Sequence, residues 1–370
     1  MKTHKIRIYP NLKQEELLRQ SCGVNRFVYN WALNKWNEIY KNEEKPNLNK
    51  IKLEFNKEKK NNKDLIWLYD VSKCIGEYAI MDLASAFKNF FNKKTRYPVF
   101  KKRKLGIGSF SIANDKFWVK GRNCRLPKIG IVTMAEQLRF EGKIMKGTVS
   151  WFADKWWLSV CVEVPVLKNN NKKVIGIDLG LKDQMITSDG NKYNLPDLSK
   201  ERNRIRKEQK YLLRKQKGSK NKCKQIIKLQ KTWLKYTDKK NDWIEKITTQ
   251  IANEYQYVCL ETLNIKGMLK NKKLSSKFQQ VSLYKIVERL KTKTEVIQID
   301  RFYPSSKTCS SCNHINNDLK LSDRYWKCDN CNTEHDRDIN ASINILNEGL
   351  KQIPEAIREF TLVDKKALAC

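Results

Sequence analysis

No apolar run in the 370 residues approaches the ~20 needed to span a bilayer, and the N-terminal stretch Met1-Lys-Thr-His-Lys-Ile-Arg7 lacks the apolar centre of a secretory signal. The expectation is an intracellular, cytoplasmic protein with no membrane partner. Acids are also in short supply. Asp plus Glu number 40 against 75 Lys plus Arg, so 75 − 40 leaves a net charge of +35. A compact state carrying that surplus repels itself unless a polyanion offsets it, and nucleic acid is the obvious one. Nor is there a disulfide framework to read. Eleven cysteines is an odd count, and Cys22, Cys74, Cys124, Cys161, Cys223, Cys259 and Cys370 are scattered, several within apolar runs where a thiol acts as a small hydrophobe. What is present is 40% hydrophobic residues over a length that suits two or three cooperative units, which excludes a disordered tail.

The four remaining cysteines form a pattern. Cys309-Ser-Ser-Cys312 and Cys328-Asp-Asn-Cys331 are two CxxC pairs fifteen residues apart. Each pair fits one tight turn, and the loop between them is long enough to bring both turns to one tetrahedral ion, the signature of a zinc ribbon. Four thiolates leave no open coordination position, so the Zn²⁺ is expected to be structural. A helix-starting motif follows at once: His335-Asp-Arg-Asp338-Ile-Asn-Ala341.

Along the chain, residues 3–9 alternate polar and apolar like a half-buried strand that Pro10 ends. Residues 14–40 space Leu17, Leu18, Val24, Val28, Ala32 and Leu33 for a helix; Arg26 and Asn30, set among its aromatics, are candidates for nucleic-acid contact as well as for core. The charged stretch 41–64 reads as a loop or exposed helix, and 71–91 as a second amphipathic helix. Between 92 and 104, Lys93, Lys94, Arg96, Lys101, Lys102 and Arg103 bracket Tyr97 and Phe100. That interleaving suits phosphate contact with base or sugar packing, and equally a solvated surface. Short β-type runs at 110–112, 117–119, 129–134, 138–140, 147–152 and 156–164 predict a small barrel or sandwich, with the first strand paired into it and the helices inserted.

Residues 169–173 read as a polar linker. The run Val174-Ile-Gly-Ile-Asp178 then predicts a strand, and 184–195, with its Asp189-Gly190 turn, a hairpin. Residues 200–246 hold eighteen Lys/Arg against five Asp/Glu. With apolar positions at helical spacing and a break at Gly218-Ser219, they predict a helical hairpin with a basic outer face, on which Arg202, Arg206, Lys210 and Arg214 are nucleic-acid candidates. A helix through 247–255, a strand ending at Glu261, a mobile 266–280, a helix at 281–290 and a strand at 295–299 lead to the ribbon.

Three apolar elements thus each present one acid: Asp178, Glu261 and Asp338. A carboxylate in an apolar strand is costly to bury unless a cation compensates it. Taken singly, Asp178 reads as a turn cap, Glu261 as a lysine partner and Asp338 as an N-cap beside Asp336. Taken in order, within a βββ-α-β-α-β module, they suit an RNase H-like site in which acids from distant elements hold two divalent ions ~4 Å apart for phosphodiester cleavage. Carboxylate oxygens select Mg²⁺ or Mn²⁺. Asp183 and Asp336 lie off the inward-pointing positions, and Asn340 and Asn344 are expected to contact the strands. The ribbon is expected to help place substrate over the metals.

These motifs, together with Lys5-Ile-Arg-Ile-Tyr-Pro10, Phe87-Lys-Asn-Phe-Phe91, Tyr97-Pro-Val-Phe-Lys101, Leu126-Pro-Lys-Ile-Gly130, Gly176-Ile-Asp-Leu-Gly180, Leu260-Glu-Thr-Leu-Asn264, Tyr303-Pro-Ser-Ser-Lys-Thr-Cys309 and Asp336-Arg-Asp-Ile-Asn-Ala341, resemble the TnpB family. Its members are OrfB-type RuvC-like nucleases of insertion sequences, related to type V CRISPR effectors. The resemblance implies an α+β multidomain protein. A β-barrel wedge domain would span 1–10 and 96–167, with a helical recognition module at 11–95. An RNase H-like (RuvC) α/β nuclease domain would span 172–300 and 336–350 with its basic hairpin at 200–250, a zinc ribbon 301–335, and a C-terminal tail 351–370. It further implies an RNA-guided DNA endonuclease that takes a guide RNA from the insertion-sequence end, reads a short motif beside a double-stranded DNA target and cuts with Asp178, Glu261 and Asp338. Cys309, Cys312, Cys328 and Cys331 match the family's zinc ligands. Asn313 stands where many relatives carry Gly, and its tolerance of left-handed backbone predicts an intact turn. The alternatives are a guided DNA-binding regulator or CRISPR-like effector, and a transposase that joins DNA strands.

Overall fold

The alternation of the first residues becomes strand β1 (Lys2–Tyr9), with Ile6 and Ile8 facing inward. It opens a computed structural model that describes residues 1–103, 107–113, 117–164, 173–271, 275–320 and 322–355. Polar residues 169–172 of the expected linker and residues 356–370 of the expected tail lie outside them. Among the described residues no helix is long and apolar enough to cross a membrane. The chain divides into two units, Met1–Val166 with Asn203–Leu234, and Leu167–Arg202 with Lys235–Cys370.

In the first unit β1 leads into α1 (Leu12–Lys41), whose start is fixed by a capping box: the Asn11 side chain accepts the Gln14 amide and Gln14 accepts the Asn11 amide. Helices α2 (Leu48–Asn61) and α3 (Lys73–Phe91) pack on it. The α2 segment was expected to be a loop or exposed helix; Ile51 and Phe55, four residues apart, bury the one apolar stripe that makes it helical. Strands β2 (Ile107–Ala113), β3 (Trp118–Lys120), β4 (Asn123–Leu126), β5 (Gly130–Met134), β6 (Lys143–Phe152) and β7 (Lys155–Glu163) complete one seven-stranded sheet in the order β2-β6-β7-β1-β5-β4-β3. Strand β1 pairs antiparallel with both β5 and β7, as expected of the first strand. Among the described residues the end strands of this order are β2 and β3. Two expectations differ in detail. Residues 138–140 form no strand, and Phe140 instead meets the His4 ring edge-on at 6.2 Å. Strand β4 has no apolar run, but its alternation buries Cys124 and Leu126 completely. The helices and the sheet share a single core that runs from Leu18 and Leu83 to Phe110 and Leu158.

The second unit is built on a five-stranded sheet, β8 (Val174–Asp178), β9 (Met185–Thr187), β10 (Lys192–Tyr193), β11 (Tyr257–Glu261) and β12 (Glu295–Ile299), in the order β10-β9-β8-β11-β12. The first three form the expected meander, turned at Gly190 with φ +86°, and β8, β11 and β12 run parallel. Between β10 and β11 come α4 (Ser199–Leu213) and the 35-residue α5 (Lys220–Glu254), the predicted hairpin, whose residues 203–234 belong to the first unit. The stretch expected to be mobile includes short helices α6 (Ile265–Met268) and α7 (Ser275–Val281), and α8 (Leu283–Lys293) follows. The ribbon contains β13 (Tyr325–Lys327) and β14 (Glu334–Asp336), and α9 (Arg337–Leu350) closes the unit. Helix α9 crosses β8 at backbone contact. A Cβ on Gly176 would fall 2.2 Å from the Ser342 carbonyl oxygen, so only glycine fits there.

Candidate active site and zinc cluster

Strand register brings the first two acids together. The β8–β11 ladder pairs Val174–Ile177 with Tyr257–Leu260, which sets Asp178 beside Glu261 at the carboxyl ends of adjacent parallel strands. Helix α9 supplies the third. Its N-cap is Asp336, whose carboxylate accepts the amides of Asp338 (3.0 Å) and Ile339 (3.3 Å), so Asp338 sits one residue inside the helix rather than capping it. Burial, then the charges of Glu261 and Asp338, push the Asp178 carboxyl up to about 7. The two neighbours are already engaged. Ser305 Oγ donates to Glu261 Oε1, while Asp338 takes Arg324 Nη1 at 2.5 Å and Arg337 Nη2 at 3.4 Å. Asp183 accepts from Asn194, and Asp336 pairs with Lys192 at 3.0 Å. Ser305 lies within the Tyr303–Cys309 motif but had no role assigned to it, and Arg324 carried no sequence signal; each becomes part of the site only through the ribbon's fold.

The four ribbon cysteines are, among the described residues, the one group of three or more metal-ligating side chains whose ligand atoms all lie within 4.8 Å of one another. Cys309 and Cys328 are buried and Cys312 and Cys331 half-buried. The two knuckles repeat one geometry: the Asn313 and Asn332 amides bond back to the Cys309 and Cys328 carbonyls, both at 2.9 Å, and both asparagines are left-handed (φ +62° and +59°). Asn313 therefore does what was expected of it, and Asn332 does the same unannounced. A thiolate tetrahedron for Zn²⁺ fits this donor set. His335 Nε2 lies 3.0 Å from Cys309 Sγ and its ring is 4.8 Å from that of Trp326. The three carboxylates are not clustered as tightly as the thiols, but their all-oxygen donor set is the one that hard divalent ions select.

Asn340 and Asn344 depart from expectation. Both are fully buried, and they bind the ribbon instead of the strands. Asn340 Oδ1 accepts the Ser310 amide (2.9 Å) and its Nδ2 donates to the Thr308 carbonyl (2.7 Å); Asn344 Nδ2 donates to the carbonyls of Ser305 (2.8 Å) and Thr308 (2.5 Å).

The basic candidates divide. Arg26 lies half-buried in an open groove of about 540 Å³ walled by Phe27, Trp31 and Trp67. Asn30 is structural, because its amide accepts the Lys101 N–H (2.7 Å) and donates to the Lys101 carbonyl (2.9 Å). Lys101 itself stands 3.9 Å over the Tyr29 ring, and burial lowers its pKa. Tyr97 hydrogen-bonds Asn37 at 2.7 Å and meets Phe87 and Phe90 edge-on, yet keeps 41% of its surface exposed. Lys93, Lys94, Arg96, Phe100, Lys102 and Arg103 are exposed. On the hairpin Arg206, Lys210 and Arg214 are exposed at four-residue intervals, while Arg202 is half-buried and donates to Gln280.

Comparison with known proteins covers almost the whole chain. Residues 159–272 match the family described as "Probable transposase" (OrfB of IS605 type), 276–345 the "Cas12f1-like, TNB domain" and 1–45 a "Helix-turn-helix domain". Here residues 1–45 form a strand and one long helix. A Streptomyces pristinaespiralis protein named "Putative RNA-guided DNA endonuclease" is 31% identical over 363 residues, 94% of this chain and 89% of that relative. One of the same description from Escherichia coli (strain K12) is 26% identical over 372 residues, 94% and 92% of the two chains. The chain of a cryo-EM Cas12f1-sgRNA-target DNA complex shares the fold with a TM-score of 0.53 at 19% identity, over 91% of this chain and 82% of that one. With an identity of 31% maintained across nearly the full length of both proteins, the chain belongs to the TnpB family.

Proposed function

We propose that this protein is an RNA-guided DNA endonuclease of insertion-sequence type that hydrolyses phosphodiester bonds at Asp178, Glu261 and Asp338. The observation that carries the reading is the position of these acids at one sheet end and one helix start, close enough for two of them to raise the pKa of the third. Like charges are kept together against their repulsion where a cation is to be bound. The strand order and the parallel β8, β11 and β12 support an RNase H-like (RuvC) assignment for the second unit. The wedge and recognition assignments for 1–10 with 96–167 and for 11–95 belong to the same proposal.

Asp178, Glu261 and Asp338 would hold two Mg²⁺ or Mn²⁺ ions, which when bound supply an activated water and stabilise the leaving oxygen. Ions bound there would favour the ionised form of Asp178, which burial and its two neighbours otherwise disfavour. Arg324, 43% exposed and now paired with Asp338, presents a guanidinium beside the acids where a phosphate would lie. The ribbon's Zn²⁺ is structural, and the +35 chain suits division of labour with an RNA: the guide reads sequence by base pairing while the protein holds backbone and reads a short duplex motif. Relatives described as endonucleases and the Cas12f1 complex with guide RNA and target DNA support those partners.

The test is Asp178→Ala, which is expected to bind RNA as the parent does and to leave matched DNA uncut in Mg²⁺; persistent cutting overturns the assignment. The match to a "Probable transposase" family favours DNA strand transfer as the second reading, and joined donor–target products would establish it.

A further inference from the structure

The knuckle between Ser305 and Ser310 touches both the acid site and the zinc cluster. At one end Ser305, 5% exposed, donates its hydroxyl to Glu261; at the other Cys309 is a ligand of the cysteine cluster. Its middle is grasped by Asn340 and Asn344, each 1% exposed, through the bonds to the backbone of Ser305, Thr308 and Ser310 described above. Those asparagines lie on consecutive turns of α9, whose first turn carries Asp338. Buried amides are costly to leave unpaired, so the bonds fix the register of the helix against the knuckle. An Asn pair that served only to fill the core would not need to be polar.

We propose that Asn340 and Asn344 are positioning residues that transmit the zinc-fixed shape of the knuckle to Asp338, while Ser305 transmits it to Glu261, so that zinc occupancy sets the divalent-ion affinity of the acids. The inference rests on the nuclease reading and goes beyond it, since it gives the ribbon a role in building the acid site in addition to meeting substrate. Coupling between two ion sites is reciprocal. Ions at the acids therefore tighten zinc binding by the same factor.

Two readouts on the full chain test it without DNA: Mn²⁺ binding by electron paramagnetic resonance, and zinc release to a chromogenic chelator. In the parent, removing zinc is expected to weaken Asp178-dependent Mn²⁺ binding about tenfold. Asn340→Ala is expected to weaken Mn²⁺ binding and to speed zinc release, each several-fold, with zinc removal then adding little. Ser305→Ala, which keeps every bond of the clasp, is expected to weaken Mn²⁺ binding alone, and it keeps the test decisive if Asn340→Ala misfolds. Asp178-dependent Mn²⁺ binding that zinc removal leaves unchanged overturns this proposal alone. Absence of Asp178-dependent Mn²⁺ binding in the zinc-loaded parent overturns the nuclease reading and this proposal with it.

Discussion

Replacing Asp178 by Asn is expected to stabilise the protein in the absence of divalent ions while removing the proposed cutting activity. In the fold the carboxyl titrates near 7, against 3.8 ordinarily, because it is buried and faces Glu261 and Asp338. The sign follows from linkage: between those two values the folded chain holds a proton that the unfolded chain has lost. Stability therefore falls as pH rises from about 4 and levels off above about 7. The full shift is worth about 4 kcal/mol at 1.36 kcal/mol per unit. Acids that relax apart and admit water once ionised recover much of this, which leaves an expected gain for the neutral, isosteric Asn of about 1–2 kcal/mol at pH 8. That corresponds to a rise in Tm of roughly 2–8 °C for a unit of this size. The assay is thermal unfolding of parent and variant in zinc-containing, Mg²⁺-free buffer at a series of pH values. The difference should be small at pH 4 and largest above 7, and added Mg²⁺ should raise the parent's Tm more than the variant's. A variant no more stable than the parent at pH 8, or a difference independent of pH, would refute the claim that the acids are held together against repulsion.

Three further outcomes test the geometry. Gly176→Ala places a Cβ 2.2 Å from the Ser342 carbonyl oxygen and 2.7 Å from the Leu346 amide; with backbone on that side, α9 must shift, and a loss of about 1–3 kcal/mol in urea unfolding together with weakened Mn²⁺ binding is expected. Arg26 and Asn30 should separate cleanly although they share one helix. Arg26→Ala should leave Tm unchanged and lower the salt dependence of RNA binding by about one charge, whereas Asn30→Ala should cost about 1–3 kcal/mol by freeing the Lys101 backbone. Cys309→Ser should release zinc, measured by metal analysis after gel filtration, and loosen amide protection from 305 to 344; a zinc-free variant with unchanged protection would show the ribbon to be an independent appendage.

What the sequence made legible was whatever depends on spacing along the chain. The CxxC pairs close because each knuckle is local, and Asp178 and Glu261 converge because each ends an apolar strand long enough to be buried by its neighbours. Features that depend on the partner across space were not legible. Asn30 sits among aromatics on an amphipathic helix exactly as a base-reading residue would, and only the return of the chain at Lys101 reveals that its amide is spent on the backbone. Asn340 and Asn344 show the same thing at the centre of the site. Four residues apart on a helix that crosses β8, they were expected to face the strands. That close crossing instead belongs to Gly176, which brings the Ser342 backbone onto β8, while the asparagine amides reach the knuckle. The physical reason is that Thr308 and Ser310 belong to a turn drawn tight by its cysteines and left with backbone groups that the turn cannot satisfy internally. Two buried amides supply the missing partners. A ribbon that folded around its ion but lacked those amides would keep its zinc ligands and lose its fixed relation to Asp338. It follows that the spacing of motifs identifies the cysteine cluster and the three acids proposed to bind divalent ions, whereas the relation between the two groups is written in side chains whose meaning emerges only when the ribbon is folded.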